Sequence, residues 1–564
     1  MRTPRWFQEQ RPGRARSPGH WSLAAGALAV GLAAAAASIS WGGDQGAPGS
    51  PKRSATDRPA ARSPARKGAN PSAASKTTPA RPAARPFDLE VVSELARKLA
   101  ARPYKAPRAT VPDWLLGLSY DQWRDIRFRS EKSLWAGGPS PFQVQFFHPG
   151  LFYDRPVAIN VVTQEGAKPV PFSPSLFDYG RNDFASRVPQ RLGFAGFRLH
   201  YPIKRPDYRD EVIVFLGASY MRAVGRDNVF GASARGLAID TAESWGEEFP
   251  WFREFWLVRP PARAKTATIF ALLDSPRVAG AYRFVIEPGV VTKVEVEGRL
   301  FLRDEIRKVG LAPLTSMFFH GENTTRHFVD FRPEVHDSDG VLLQLGTGEW
   351  VWRPADNPRT LQVSQMRADL IRGFGLLQRD RDFASYQDLE TAAHRRPSIW
   401  IEPRGEWGPG RVEVVEIPTS SDANDNVVVY WVPDRGPVPG TPYAFAYTQY
   451  WYSEDPGRPP GGRVVATRID AGSVEGATRF VLDFAGGRLG DIPAEEVLRA
   501  AVTVVGGDEA GRIVDQHVVH NPFIRGWRLV FQVKPARRER IELRAFLELG
   551  GEVLTETWSY GLLP

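Results

Sequence analysis

The residues of this chain best suited to chemistry are carboxylates that stand close to aromatic residues and arginines. Flat Trp and Tyr rings stack on the faces of sugar rings, and acids and Arg bind hydroxyl groups, so this mixture is typical of a carbohydrate-binding site. Three common catalytic signatures are absent from the sequence: a phosphate-binding Gly-x-x-x-x-Gly-Lys-Ser/Thr loop, His-Glu-x-x-His and Gly-x-Ser-x-Gly. The polar-aromatic residues fall into four clusters, at 233–251, 332–354, 396–408 and 413–431.

Cleavage of a glycosidic bond requires two carboxyl groups, one to protonate the leaving oxygen and one to act as base or nucleophile. Spacing alone does not select a pair here, because Asp337-Ser-Asp-Gly340 and Asn424-Asp-Asn426 are also common turn sequences. The first of these resembles the start of a Ca²⁺-binding loop, but the rest of the EF-hand pattern is missing. We therefore predict no metal and no cofactor.

Composition and charge exclude several further classes of protein. The chain has 564 residues and no Cys, which excludes disulfides, thiolate metal sites and a cysteine nucleophile. Residues 1–85 carry a net charge of +11. The whole chain carries +9, so residues 86–564 carry −2. Because the globular part has no basic excess, we predict that it does not bind nucleic acid.

The first 85 residues read as a targeting segment and a linker. Residues 1–43 combine an Arg-rich start with an apolar, Ala-rich run, the pattern of a signal peptide or signal anchor. Residues 44–85 are rich in Pro, Ala, Ser, Lys and Arg, and are predicted to be a disordered linker. Export is expected, and contact with a membrane is expected only through the N-terminal segment if it is not cleaved.

The remaining sequence predicts an all-β protein. A short amphipathic helix is predicted over residues 87–101, with Asp88 as its cap. Alternating segments such as 142–147, 212–216 and 282–286 then predict antiparallel strands, without the βαβ pattern of a parallel sheet. We predict a large β-sandwich domain at 86–455, which would hold the site, and a small Ig-like sandwich at 463–564, separated by a Pro/Gly-rich seam.

Many longer phrases resemble the periplasmic glucan biosynthesis protein G/D family (OpgG and OpgD, also called MdoG and MdoD). The resemblance extends from about Phe87 to Leu563. It is carried by phrases that include Leu192-Gly-Phe-Ala-Gly-Phe197, Ser233-Ala-Arg-Gly-Leu-Ala-Ile-Asp-Thr241, Leu272-Leu-Asp-Ser-Pro-Arg277, His336-Asp-Ser338, Gly373-Phe-Gly-Leu-Leu-Gln-Arg379 and Glu556-Thr-Trp-Ser-Tyr560.

The resemblance implies a mutarotase-like sandwich with a cleft, followed by an Ig-like domain, and a role in making osmoregulated periplasmic glucans. It further implies an inverting endo-β-1,2-glucanase with the β-1,2-glucan backbone as substrate. By the same resemblance, Asp425 is the general acid and Asp337 is the general base, acting directly or through water. Aromatic and arginine candidates for the cleft are Tyr220, Arg235, Trp350, Trp352 and Arg353.

Two alternatives to hydrolysis remain open at this point. The family pattern has a Tyr in the loop before the Arg-Pro-Ser phrase, where this chain has Thr391-Ala-Ala-His394. A changed proton relay would favour transglycosylation, in which a sugar hydroxyl replaces water. The other alternative is a non-catalytic glucan-binding scaffold that partners the inner-membrane glucan glucosyltransferase.

Overall fold

The computed structural model describes residues 87–324, 329–455 and 457–563. The predictions for residues 1–43 and 44–85 therefore lie outside the described residues. Among the described residues, no helix is long and apolar enough to cross a membrane. The α-helices within these ranges are α1 (Leu89–Ala100), α2 (Asp113–Leu116), α3 (Tyr120–Arg124) and α4 (Phe383–Tyr386).

Helix α1 forms where the sequence predicts it. The side chain of Asp88 caps its first turn by accepting a hydrogen bond of 3.1 Å from the Val91 N–H. Leu89, Val92 and Ala96 are buried in one apolar cluster with Trp256 and Phe270. Leu95, which the helical spacing assigns to the apolar face, is 38% exposed. The apolar stripe is thus narrower than the pattern indicates.

Strands make up most of the described chain, as the alternating sequence predicts. In chain order they are β1 (Arg127–Phe128), β2 (Gln143–Phe147), β3 (Ala158–Thr163), β4 (Gly166–Pro169), β5 (Phe177–Asp178), β6 (Gly196–Tyr201), β7 (Asp210–Leu216), β8 (Tyr220–Ala223), β9 (Ser233–Arg235), β10 (Ala238–Ile239), β11 (Trp251–Val258), β12 (Ala267–Asp274), β13 (Val278–Glu287), β14 (Thr292–Leu302), β15 (Val309–Ser316), β16 (Phe318–His320), β17 (Val335–His336), β18 (Gly340–Leu345), β19 (Trp350–Pro354), β20 (Gln362–Ala368), β21 (Ile371–Leu377), β22 (Ser398–Pro403), β23 (Gly410–Glu416), β24 (Val427–Pro433), β25 (Tyr443–Tyr452), β26 (Arg463–Ala471), β27 (Thr478–Ala485), β28 (Arg499–Val504), β29 (Gly511–Asn521), β30 (Gly526–Pro535), β31 (Ile541–Leu549), β32 (Glu552–Val553) and β33 (Thr557–Leu562).

Two large sheets pack face to face and enclose the main core. The first, called here the site sheet, has the order β2-β6-β7-β8-β9-β15-β24-β23-β20, with β10 beside β15. The second, called here the long sheet, has the order β28-β31-β33-β19-β18-β21-β22-β25-β14-β13-β12-β11-β3-β4, with β32 beside β31. Their inner faces bury a cluster rich in Phe and Tyr, and the predicted all-β sandwich architecture is confirmed.

The C-terminal strands form a second pair of layers that is continuous with the first. Strands β26, β27, β30 and β29 make a four-stranded sheet. The other layer belongs to the long sheet, because β33 pairs in parallel with β19. The two layers share a core in which Phe480, Phe531 and Trp558 lie together with Trp352 and Trp400 of the first sandwich. Where one domain ends and the next begins stays a prediction.

A candidate active site between two aspartates

One short segment of backbone, residues 316–318 between β15 and β16, anchors two loops that are distant in sequence. The Met317 carbonyl accepts a hydrogen bond of 2.7 Å from the Asp337 N–H. On the other side, the Asn426 N–H donates to the Ser316 carbonyl at 2.9 Å, and the Asn426 side-chain oxygen accepts from the Phe318 N–H at 2.8 Å. The residues next to this anchor, Asp337 and Asp425, are therefore brought to the same end of the site sheet.

Asp425 lies two residues before the first residue of β24, and its side chain is fully buried. Its Oδ2 accepts a hydrogen bond of 3.3 Å from the Thr315 hydroxyl, and Arg222 Nη2 lies 3.7 Å from the same oxygen. Its Oδ1 has no hydrogen-bond partner among the described residues. Burial raises the pKa of Asp425 to about 6, with Arg222 opposing the rise and the charge of Asp337 adding to it.

Asp337 follows β17 and is held by an arginine. The Arg396 guanidinium donates to Asp337 Oδ1 and, at 3.2 Å, to the His336 carbonyl. The stem of Arg396 packs on Gly231, where an added Cβ would lie 2.9 Å from it. The absence of a side chain at residue 231 thus allows Arg396 to reach Asp337, and the ion pair balances the charge of this carboxylate.

A pocket with a volume of 180 Å³ opens beside Asp337. Its lining combines carboxylates and arginines with several apolar and aromatic side chains. The residues that line it are Arg222, Phe230, Gly231, Met317, Arg332, Glu334, Val335, His336, Asp337, Tyr386, Asp388, Thr391, Ala393, Arg396, Asp422 and Ala423. Asp337 and Arg222 line the pocket, whereas Asp425 does not.

At the wall of the pocket, a cluster of mostly buried carboxyl groups surrounds His336. Ligand atoms of Glu334, His336, Asp339 and Asp380 all lie within 4.8 Å of one another. His336 donates from Nε2 to Glu334 at 3.0 Å and from Nδ1 to the Gln378 side-chain oxygen at 3.0 Å. Such a spacing suits a cation, and it suits shared protons equally well; the prediction of no metal stays a prediction.

The charges within this cluster shift the pKa values of its members. Burial alone would lower the pKa of His336, but Asp339 and Glu334 outweigh it and raise that pKa to about 9. Burial, together with repulsion from Asp339 and Glu334, raises the pKa of Asp380 to about 9. Near neutral pH the cluster thus contains an imidazolium and a protonated carboxylic acid.

Two of the predicted sugar-binding residues lie near Asp425, on the same face of the site sheet as Arg222. Tyr220 and Arg235 are direct neighbours on β8 and β9, and the guanidinium lies 5.5 Å from the centre of the Tyr220 ring. Arg235 Nη2 donates to Glu247 at 2.6 Å. Both residues are buried and neither lines the pocket, so a role for them in binding sugar stays a prediction.

The other three predicted residues lie on β19, at the junction with the C-terminal layers. Trp350 stacks on Trp400 with 5.6 Å between ring centres. The Trp352 ring lies 3.5 Å from the Arg379 guanidinium, and Arg353 donates to Glu542 at 2.9 Å. The structure does not bring these residues together with Asp337 and Asp425, and their binding role stays a prediction.

Several residues of the pocket have no counterpart among the predicted site residues. Arg222 was missed because it stands in a strand whose other residues are apolar or aromatic, although its spacing of two from Tyr220 places both on one face. Tyr386 also lines the pocket, but its hydroxyl donates to the Asp380 carbonyl at 3.1 Å. Two further arginines, Arg332 and Arg396, also line the pocket. Each is followed by Pro, and these Arg-Pro phrases were the available sequence signal for them.

The described residues form an all-β sandwich whose pocket is lined by carboxylates, arginines and a few aromatic rings. Comparison with known families gives the assignment. Residues 87–562 match the family described as periplasmic glucan biosynthesis protein, MdoG, and the chain belongs to this family.

Two similar proteins of known designation support the assignment. The chain is 48% identical over 492 residues to the glucans biosynthesis protein G of Ralstonia nicotianae (strain ATCC BAA-1114 / GMI1000), covering 86% of this chain and 97% of the relative. It is 44% identical over 491 residues to the protein of the same name from Sodalis glossinidius (strain morsitans), covering 85% and 93%. The resemblance found from the sequence phrases is thereby confirmed.

Proposed function

We propose that this protein is a periplasmic, inverting endo-β-1,2-glucanase that cuts the backbone of osmoregulated periplasmic glucans. Asp425 is the general acid and Asp337 is the general base. The observation that carries the proposal is the pair of carboxyl groups held by residues 316–318 in unlike surroundings. Pairs of carboxyl groups whose surroundings differ in this way are how glycosidases assign acid and base roles.

Each carboxyl group has the surroundings that its role requires. Burial raises the pKa of Asp425 to about 6, so that this group still carries a proton in mildly acidic solution and can give it to the glycosidic oxygen. Asp337, ion-paired with Arg396, takes the proton of the water that attacks the anomeric carbon. The bond to the leaving sugar breaks as the new carbon–oxygen bond forms, which inverts the configuration.

Arg222 has a specific part in this mechanism. Its side chain lines the pocket, and its Nη2 lies 3.7 Å from the carboxyl oxygen of Asp425, which does not line the pocket. For Asp425 to reach a glycosidic oxygen, the bound sugar must shift Arg222, and sugar hydroxyls are suitable acceptors for its N–H groups. Substrate binding and exposure of the acid are thus coupled in the proposal.

The burial of Asp425 also favours a second candidate function. The Asp425 side chain is fully buried and Asp337 is already paired with Arg396. A site that keeps this arrangement with sugar bound would hold glucan without cutting it, as expected of a scaffold that partners the inner-membrane glucan glucosyltransferase.

Incubation of the purified protein with linear β-1,2-glucan separates the two candidates. The hydrolase produces new reducing ends and shorter chains, while Asp425→Asn retains binding and produces none. The matched control is Asp508→Asn, since Asp508 is exposed in the C-terminal layers. Unchanged polymer that nevertheless binds the wild-type protein would establish the scaffold and refute the hydrolase.

A further inference from the structure

Two large, exposed apolar side chains belong to residues that are sequence neighbours of the pocket lining. Phe331 is 79% exposed, and Leu389 is 88% exposed. Their neighbours Arg332 and Asp388 both line the pocket. Single exposed apolar residues are common on protein surfaces, but these two are held in place by hydrogen-bonded turns.

Each of the two side chains is at the tip of a turn closed by an aspartate. Asp330 accepts a hydrogen bond of 3.0 Å from the Arg332 N–H, with Phe331 between them. Asp388 accepts from the N–H groups of Glu390 at 2.9 Å and Thr391 at 3.0 Å, across Leu389. Turns of this type fix the local backbone, and Phe331 and Leu389 are exposed within them.

Arg332 holds the two turns together and connects them to the loop of Asp425. Its guanidinium binds Asp330 through two nitrogens, at 3.0 and 2.7 Å. It also donates to Asp388 at 3.4 Å and to Asp422 at 2.9 Å. One arginine therefore joins three loops, and the tips with Phe331 and Leu389 become a fixed part of the pocket rim.

We infer that Phe331 and Leu389 form an accessory subsite that binds the apolar face of a glucose ring outside the pocket. This inference rests on the proposed function, in which the ligand is a β-linked glucan. Such a chain is longer than a pocket of 180 Å³ can hold, so sugars on either side of the bound unit must lie across the rim. A phenyl ring and a leucyl group held outward offer those sugars the flat apolar surface that ring faces prefer.

The test compares long and short ligands. Affinity is measured by calorimetry for long linear β-1,2-glucan and for sophorose, the β-1,2-linked disaccharide, which serves as the short ligand. Phe331→Ala is expected to weaken binding of the long chain roughly tenfold, the value for removing one buried aromatic contact, and to leave sophorose unchanged. Phe331→Trp is expected to retain binding of the long chain.

A matched control exists in the C-terminal layers. Phe523 is 96% exposed and also belongs to a turn closed by a side chain, since its N–H donates to Asn521 at 3.3 Å. Phe523→Ala is expected to change neither affinity. Equal affinity of wild type and Phe331→Ala for the long glucan would overturn the subsite, as would a wild-type protein that binds no glucan.

Failure of the subsite and failure of the proposed function are distinguishable. A wild-type protein that binds long glucan without cutting it refutes hydrolysis, while the affinity ratio of Phe331→Ala still decides the subsite. A protein that cuts glucan with the same KM in wild type and Phe331→Ala retains the hydrolase and refutes the subsite.

Discussion

Replacing Asp425 by Asn should stabilise the protein, and by an amount that depends on pH. Burial raises the pKa of Asp425 to about 6 in the folded chain, compared with about 3.9 in an unfolded one. One pKa unit corresponds to about 1.4 kcal/mol, so holding the ionised carboxylate in the fold costs about 3 kcal/mol. Asn keeps an oxygen that can accept from Thr315 and carries no charge.

The sign of this stability difference between Asp425→Asn and the wild type follows from proton linkage. A carboxyl group whose pKa is raised on folding contributes stability that is complete below about pH 4 and is lost as pH rises to about 6. Asp425→Asn is therefore expected to match the wild type at pH 4 and to exceed it by up to about 3 kcal/mol above pH 6 to 7. Other titrating groups are common to both proteins and cancel in the difference.

Urea unfolding of both proteins from pH 4 to pH 8, followed by fluorescence of the tryptophans, measures this difference. Asp508→Asn, at an exposed position, is expected to show no pH-dependent difference and serves as the control. A gain for Asp425→Asn that is the same at every pH, or a loss that grows with pH, would refute the reasoning about burial.

Three further predictions concern the surroundings of the two aspartates. Gly231→Ala should lower turnover and reduce the free energy of unfolding by about 1–3 kcal/mol, because the new Cβ lies 2.9 Å from Arg396. The control is Gly436→Ala, where an added Cβ has no atom within 4 Å. It should change neither turnover in the reducing-end assay nor stability in urea. Arg222→Met should move the alkaline limb of the kcat/KM profile to higher pH, since Arg222 opposes the raised pKa of Asp425; an unmoved limb would contradict the acid assignment. Asp380→Asn should gain stability relative to wild type between about pH 4 and 9, because burial raises the pKa of Asp380 to about 9; a pH-independent difference in urea unfolding would argue against the buried cluster.

Much of the fold could be predicted because its signals are local. Strand β14 alternates buried and partly exposed residues along its length, and α1 has both an apolar stripe and an aspartate cap. The joining of the C-terminal strands to the long sheet could not be predicted. It depends on β33 pairing in parallel with β19, more than two hundred residues earlier, and such a pairing has no local signal.

The candidate site was predictable in part. Asp337 and Asp425 were selected by family resemblance, while their common anchor on residues 316–318 is a set of backbone contacts that no residue type indicates. The residue types of Trp350, Trp352 and Arg353 are typical of a sugar site. Aromatic rings and arginines also form packing contacts between layers, however, and on β19 they make contacts of that kind. Residue type alone does not distinguish these two uses.

The most direct test of the proposed mechanism is the anomeric form of the first product. Wild-type protein is mixed with linear β-1,2-glucan, and the new reducing end is followed by proton NMR before the anomers equilibrate. An acid and a base acting on opposite sides of the bond predict that the α-anomer appears first. Early release of the β-anomer, or cleavage that persists in Asp425→Asn, would contradict the roles given to Asp425 and Asp337.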